Sequence, residues 1–256
     1  MYKSQFNQDS YLNKNFFNNK KNGVFVDIGA HDGVNLSNTY FYEKELKWRG
    51  LCVEANPSIF KQLKQNRKCL LVNGCAWHEN TVKKFRKIDG PDMLSGLVDS
   101  YCNKHEKRID NELEQTKGKY KDIDVNCYNL TELLENNNLT EIDFLSIDTE
   151  GSELEILEHL DFEKIDTKIL LVENNYEDKK LRKLLKNKGY KFYTRLVIDD
   201  IFIKDYDEKV NNNCWKELRH KFFANWRYVK NSYVKNRNNC LKRLIHKFYA
   251  NWRYVR

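Results

Sequence analysis

The apolar positions fall into short runs, each closed by an acid, an asparagine or a glycine. Residues 24–28, 51–53, 69–72, 144–147 and 169–172 are such runs, with Asp27 and Ser146 as polar residues inside two of them; all read as parallel strands, and the continuous run at 69–72 suits a strand covered on both faces. Between them the apolar residues recur at helical spacing. A helix is expected over about residues 37–47, burying Tyr40, Phe41 and Leu46, with Trp48-Arg49-Gly50 as its stop. Asn56 and Pro57 supply an N-cap and a first helical residue ahead of Ile59, Phe60 and Leu63. Leu154, Leu157 and Leu160 form a further stripe, and Leu181, Leu184 and Leu185 another that Gly189 closes. With residues 192–195 and 201–204 as final strands, the chain reads as α/β, a Rossmann-like sheet of seven strands with helices on both faces.

About 70 residues separate the run at 69–72 from the run at 144–147, too many for a plain connection. Residues 82–88 and 123–127 alternate well enough to add strands, 90–96 is a loop by composition, and 105–117 is a charged helical stretch. We expect an insertion over about residues 78–128 that forms a substrate lid. An edge decoration with no part in binding is the alternative.

The run at 24–28 leads through Asp27 into Gly29-Ala30-His31-Asp32-Gly33. A strand entering a glycine-spaced turn is the usual opening of a nucleotide-type cofactor site. A dinucleotide loop reads G-x-G-x-x-G and offers backbone amides to phosphate, whereas here the spacing is G-x-x-x-G and Asp27 would repel an anion. S-adenosylmethionine carries an ammonium and a sulfonium and no phosphate, so a carboxylate at the strand tip suits it. Glu54 ends the next run, 21 residues beyond Gly33, where an acid can accept hydrogen bonds from ribose hydroxyls. Asp27, Gly29, Ala30, Gly33, Glu54, Ala55 and Asp148 are the expected cofactor residues, and Cys75 and Ala76, in the segment 73–77 just past a strand, are expected near the adenine. The competing reading makes Asp27 a helix cap and Glu54 a surface acid.

Asp148 follows the run at 144–147, at the carboxyl end of a strand, where open α/β sheets place their ligands. Methyl transfer needs a base only when the acceptor is a hydroxyl, and Asp148, Glu150 and His31 are the candidates, with Asp148 preferred by position. Glu153 is explained as an acid at a helix N-terminus. No residue is assigned outright as a metal ligand, although Asp148, Glu150 and Glu173 offer the carboxylate oxygens that a divalent cation orienting a diol-like acceptor would take.

The chain also resembles FkbM-type methyltransferases, class I enzymes that use S-adenosylmethionine. The segments that carry the resemblance are Ser4-Gln5-Phe6-Asn7-Gln8-Asp9, the stretch from Phe25 to Gly33, Ser37-Asn38-Thr39, Trp48-Arg49-Gly50 with the seven residues after it, Met93-Leu94-Ser95-Gly96, and Asp143 through Glu153. They span about residues 4–204 in order. The resemblance implies a class I methyltransferase fold and O-methylation, often of sugar or polyketide hydroxyls. It also implies a lid bearing the Leu-Ser-Gly segment; Ser95 and Gly96 there, and Glu173 at the end of the fifth strand, are expected to face the substrate.

Charge separates the end of the chain from the rest. Residues 205–256 hold 13 Lys and Arg against four Asp and Glu, a net +9, which leaves −1 for residues 1–204. The domain reading is therefore 1–204 for catalysis and 205–256 for a basic tail, a helical C-terminal extension. Residues 214–229 recur at 240–255 with 12 of 16 positions identical, and Leu218, Phe222, Trp226 and Val229 are spaced as one face of a helix. Each copy reads as an amphipathic basic helix, either docking on protein or anchoring at an anionic membrane surface. Nucleic acid is a weaker candidate partner, since no recognition motif accompanies the charge.

Seven cysteines without C-x-x-C spacing argue against both a disulfide framework and a zinc site. With no signal-peptide core at the N-terminus and no run of 18 apolar residues, the expected location is the cytoplasm, with peripheral membrane contact through the tail. The function expected is methylation of a hydroxyl on a sugar, glycan or other small molecule. An RNA-modifying methyltransferase that uses the basic tail, and a non-catalytic scaffold with the same fold, are the alternatives.

Overall fold

The computed structural model describes residues 1–205. The helical extension and its duplicated segment therefore lie outside the described residues. A short helix α1 (Gln8–Leu12) runs into a π-helical turn over Asn13–Phe17. The chain then enters β1 (Val24–Ile28), α2 (Tyr40–Leu46), β2 (Arg49–Glu54), α3 (Pro57–Asn66) and β3 (Leu70–Asn73). Next come β4 (Cys75–Trp77), β5 (Thr81–Asp89), β6 (Gly96–Leu97), α4 (Asn103–Thr116) and β7 (Lys119–Asn129). The remainder is α5 (Leu130–Asn136), β8 (Glu141–Ile147), α6 (Glu153–His159), β9 (Asp166–Glu173), α7 (Lys179–Asn187), β10 (Tyr190–Leu196) and β11 (Asp199–Lys204).

Seven strands make one mixed sheet in the order β10-β11-β9-β8-β1-β2-β3. The pairs from β9 to β3 are parallel, and the closing β10–β11 hairpin is antiparallel to β9. Alternate residues of each central strand feed opposite cores, as the two-residue period of a strand requires. Val26, Ile28, Leu145, Ile147 and Leu170 pack under α5, α6 and α7. Phe25, Cys52, Phe144 and Leu171 pack against α1, α2 and α3. Connections leave β1 toward both sides of the sheet, so its tip and that of β8 meet at the topological switch point, where such sheets bind ligands.

The expected strands at 82–88 and 123–127 are β5 and β7, and with β4 and β6 they form a second sheet in the order β4-β7-β5-β6. Trp77, Phe85, Leu97 and Val125 make its small core. Ile109 of α4 packs with Ile88 and Leu94 beneath it.

Three local expectations change. Tyr42, fully buried, replaces Tyr40 on the inner face of α2. The helix starts only at Tyr40, with Ser37 Oγ accepting from Tyr40 N at 3.1 Å ahead of it and Thr39 Oγ1 donating to Asp27 at 2.6 Å. The Tyr42 hydroxyl then donates to Asp9 O at 2.8 Å. Residues 69–72 are not covered on both faces. β3 is an edge strand with Leu70 exposed, since the chain leaves the first sheet at Gly74 for β4 of the second. On α6 the buried apolar residues are Ile156 and Leu157, followed by Leu160, with Leu154 only partly buried.

Candidate active site

The tips of β1 and β8 are stitched together by backbone. Asp148 N donates to Ile28 O at 2.9 Å, and Gly29 N and Ala30 N both donate to Val53 O at 3.0 Å. Gly29 sits at φ +84°, and a Cβ there would lie 1.7 Å from Asp148 O. The contact demands glycine for both reasons. Gly33 at φ +77° admits Leu63 and Arg67 of the α3 region, whose side-chain carbons would lie 2.5 and 2.6 Å from a Cβ.

Three carboxyls close three neighbouring strands. Asp27 is buried in β1 and bonded to Thr39, and burial pushes its carboxyl up against the opposing pull of Arg67 and the Thr39 bond. Glu54 at the end of β2 accepts from His31 N at 2.9 Å and Asn56 N at 2.6 Å, and it too is raised by burial. Those two bonds leave one lone pair free on each Glu54 oxygen. The glycine turn is held further by Asp32, which accepts from Val34 N and Asn35 N at 2.8 Å each. Behind it lies Arg67, its side chain wholly buried, bonded to Glu43, Gly33 O at 3.1 Å, Ser37 Oγ at 3.3 Å and Thr39 Oγ1 at 3.0 Å.

Asp27, Gly29, Ala30, His31 and Asp148 line one cleft, together with Gln5, Gln8, Asn38, Met93 and Asp199. The other expected cofactor residues stand outside that lining. Gly33 is a packing contact, Glu54 anchors the turn at His31 N, Ala76 belongs to the main core, and Ala55 and Cys75 belong to the core of the second sheet. His31, at φ +49°, points Nε2 toward Asp92 of the insertion at 3.5 Å. Ser95 Oγ is occupied, donating to Asp92 O at 2.6 Å and accepting from Ile88 N at 3.1 Å. Gly96 packs on the loop after β8, where a Cβ would come within 3.2 Å of Thr149 O.

Asp148, Glu150 and Glu173 do converge, with one oxygen from each within 4.8 Å of the others. Burial, together with the charges of Glu153 and Asp27, pushes Asp148 up to about 6, against a Glu173 hydrogen bond and Arg108. Burial pushes Glu150 up to about 8 and Glu173 well above the carboxylate range. Arg108 of α4 meets Glu150 at 3.2 Å, and His105 Nδ1 stands 3.5 Å from the same oxygen. Burial and Arg108 hold His105 down to about 4. Glu153 does more than cap α6, since it accepts from Thr149 N and Oγ1 at 2.8 Å and from Gly151 N. This fixes the loop that carries Asp148 and Glu150.

Sequence reasoning missed Arg108, Gln8 and Asp199. Gln8 Nε2 donates to Asp199 Oδ2 at 2.5 Å across 191 residues, and burial followed by the Asp148 charge pushes Asp199 up to about 7. A glutamine inside the segment Ser4 to Asp9 was the available signal, but its partner had none.

Carboxyls at the tips of β1, β2 and β8 fit a cationic cofactor and oppose a phosphate-bearing one. Asp148, Glu150 and Glu173 also form a donor set for a hard divalent cation, which would take the place of the protons that burial holds on Glu150 and Glu173.

A family model described as the methyltransferase FkbM domain matches residues 27–192. No curated protein matches the chain in sequence. Among solved structures, the FkbM methyltransferase of Methylobacillus flagellatus KT is similar at a TM-score of 0.42 and 13% identity, over 72% of this chain and 44% of that one. The METTL16 methyltransferase domain is similar at 0.41 and 13%, over 78% and 67%. The precorrin-6y C5,15-methyltransferase of Geobacter metallireducens GS-15 is similar at 0.40 and 12%, over 78% and 87%.

Proposed function

The chain belongs to the FkbM methyltransferase family, and on that premise we propose that it transfers the methyl group of S-adenosylmethionine to a hydroxyl of a sugar, glycan or other small molecule. The observation that carries this reading is the position of Asp148, at the switch point beside the glycine turn, with a carboxyl raised to about 6. Such a group is ionised at neutral pH and more basic than an ordinary aspartate, which suits it to take a hydroxyl proton. Asp27 and Glu54 would hold the cofactor, with Gly29 and Ala30 leaving its turn open. When bound, that cofactor supplies an electrophilic methyl on a sulfonium.

The far wall of the cleft supports a polyhydroxy acceptor. Gln5 and Asn38 present amides, and Asp199 has a carboxyl oxygen beyond the one that Gln8 bonds, all able to bond hydroxyls without demanding a charged ligand. His31 and Met93 border the same space from the turn and the insertion. Positioning of acceptor against donor would then carry most of the rate, with Asp148 taking the proton as the O–C bond forms.

The test is calorimetric titration with S-adenosylmethionine, followed by transfer of labelled methyl to panels of sugars, glycans and RNA. Binding with transfer to a hydroxylated small molecule is the expected result. Transfer to RNA alone would replace the acceptor class, and a folded protein that does not bind the cofactor would leave a scaffold role.

A further inference from the structure

A second group of metal-ligating side chains lies outside the cleft lining and uses different chemistry. His78 sits in the turn between β4 and β5 of the second sheet, while Glu155 and His159 stand one helical turn apart on α6 of the first. One donor atom from each lies within 4.8 Å of the others. His78 Nδ1 is 2.8 Å from Glu155 Oε1, His159 Nδ1 is 3.5 Å from the same oxygen, and the two imidazole rings lie with centroids 4.7 Å apart.

A plain ion pair accounts for this geometry poorly. His78 Nδ1 is shut off from solvent and makes no hydrogen bond of acceptable angle, although Glu155 Oε1 is so near. A ring nitrogen facing a carboxylate oxygen with no proton in line between them is the arrangement a shared cation resolves. Tetrahedral zinc holds nitrogen and oxygen ligands at about 2.0–2.2 Å, which puts the two donors about 3.4 Å apart. A small opening of the His78–Glu155 contact reaches that spacing.

The outer contacts also fit ligation. His78 Nε2 faces Glu79 Oε1 at 3.7 Å, a carboxylate behind the opposite ring nitrogen. His159 Nδ1 lies 3.0 Å from Glu155 O, a backbone carbonyl beside the ring. Second-shell carboxylates and carbonyls of this kind fix the tautomer of metal-bound histidine. His159 is exposed, which gives an ion a way in from solvent.

We propose that His78, Glu155 and His159 form a binding site for zinc or a similar transition-metal ion that clamps the β4–β5 turn of the second sheet to α6. Two imidazoles and one carboxylate select such ions over magnesium or calcium, and three protein ligands leave a fourth position for water. This separates the site from the all-carboxylate group of Asp148, Glu150 and Glu173. The cysteine spacing gave no sign of it, because none of its ligands is a cysteine, and His78 precedes Glu155 and His159 by 77 and 81 residues, so that only the packing of the second sheet on α6 joins them.

The test titrates the metal-stripped full chain with zinc chloride by calorimetry, in the presence of excess magnesium. Wild type should bind zinc with a Kd that rises at least about tenfold in His78→Ala and again in His159→Ala, each shown folded by circular dichroism. The double variant Glu150→Gln, Glu173→Gln should keep wild-type zinc affinity. Zinc should raise the Tm of wild type and leave that of His78→Ala unchanged. Equal zinc affinity in wild type and both histidine variants would overturn the proposal, as would zinc binding that the Glu150 and Glu173 substitutions abolish.

Discussion

Arg108 of α4 reaches Glu150 in the loop after β8, Nη1 to Oε2 at 3.2 Å, and so brings a cation from the inserted unit to the acid cluster beside the cleft. That charge pulls both Asp148 and Glu150 downward against the effect of burial. Replacing Arg108 by methionine should therefore raise both carboxyls. The acid limb of the pH–rate profile, set by Asp148 near pH 6, should move toward alkaline pH by on the order of one unit.

Asp148→Asn removes the proton acceptor and keeps the shape of the strand tip. Transfer to a hydroxyl should fall by about 10²–10⁴ in kcat. The calorimetric Kd for S-adenosylmethionine should stay within a few-fold of wild type, because Asp148 N rather than its carboxyl joins β8 to β1.

Glu54→Ala should weaken S-adenosylmethionine binding by at least about tenfold, since the turn loses its anchor at His31 N along with the ribose acceptor. Glu54→Gln retains one carbonyl oxygen and should fall between the two. Calorimetric titration of the three proteins gives the order.

Arg67→Met leaves Asp27 and Glu43 without the cation that both face, and leaves Thr39 Oγ1 and Gly33 O short of a donor. Breaking a buried network of this kind costs about 3–5 kcal/mol. Urea unfolding should show that loss directly.

Glu150 gives stability its own pH dependence. Its carboxyl is held near 8 in the fold against an ordinary value near 4.3 in the unfolded chain, so the native state binds the extra proton between those values. Stability therefore falls as pH rises from about 4 to about 8, and is level beyond. Glu150→Gln should flatten that fall and raise the unfolding free energy at pH 8.5, read from urea titration, by on the order of a few kcal/mol.

The strand tips were legible because each couples an apolar run to an acid: Asp27, Glu54 and Asp148 stand at the ends of β1, β2 and β8. Asn56 and Pro57 likewise cap α3, with Asn56 Oδ1 accepting from Ser58 N at 3.0 Å. What stayed hidden depends on partners far apart in the chain. Arg108 lies in a stretch so charged that it reads as a solvated face, and Asp199 gains meaning only when Gln8 meets it. The phase of α2 differs because Tyr42 is held inward by a bond from its hydroxyl to Asp9 O, a contact between elements that no helical period encodes. Among the described residues no helix is long and apolar enough to cross a membrane, and the duplicated basic segment lies outside them.

The second sheet begins and ends in strands that lie side by side, with Cys75 of β4 opposite Cys127 of β7. The unit is thus a cassette whose two junctions with the first sheet share one location, Gly74 before β4 and Leu130 at the start of α5. Material added or removed between them shifts no register of the seven-stranded sheet, whose pairings on either side are closed by β3 and by β8. Length variation in this chain's relatives can therefore concentrate there at little energetic cost, since closing a loop twice as long costs only about 0.6 kcal/mol. An exchange of cassettes cut at these two points is the natural way to vary one wall of the cleft while the turn at Gly29 and the acid at Asp148 stay in place.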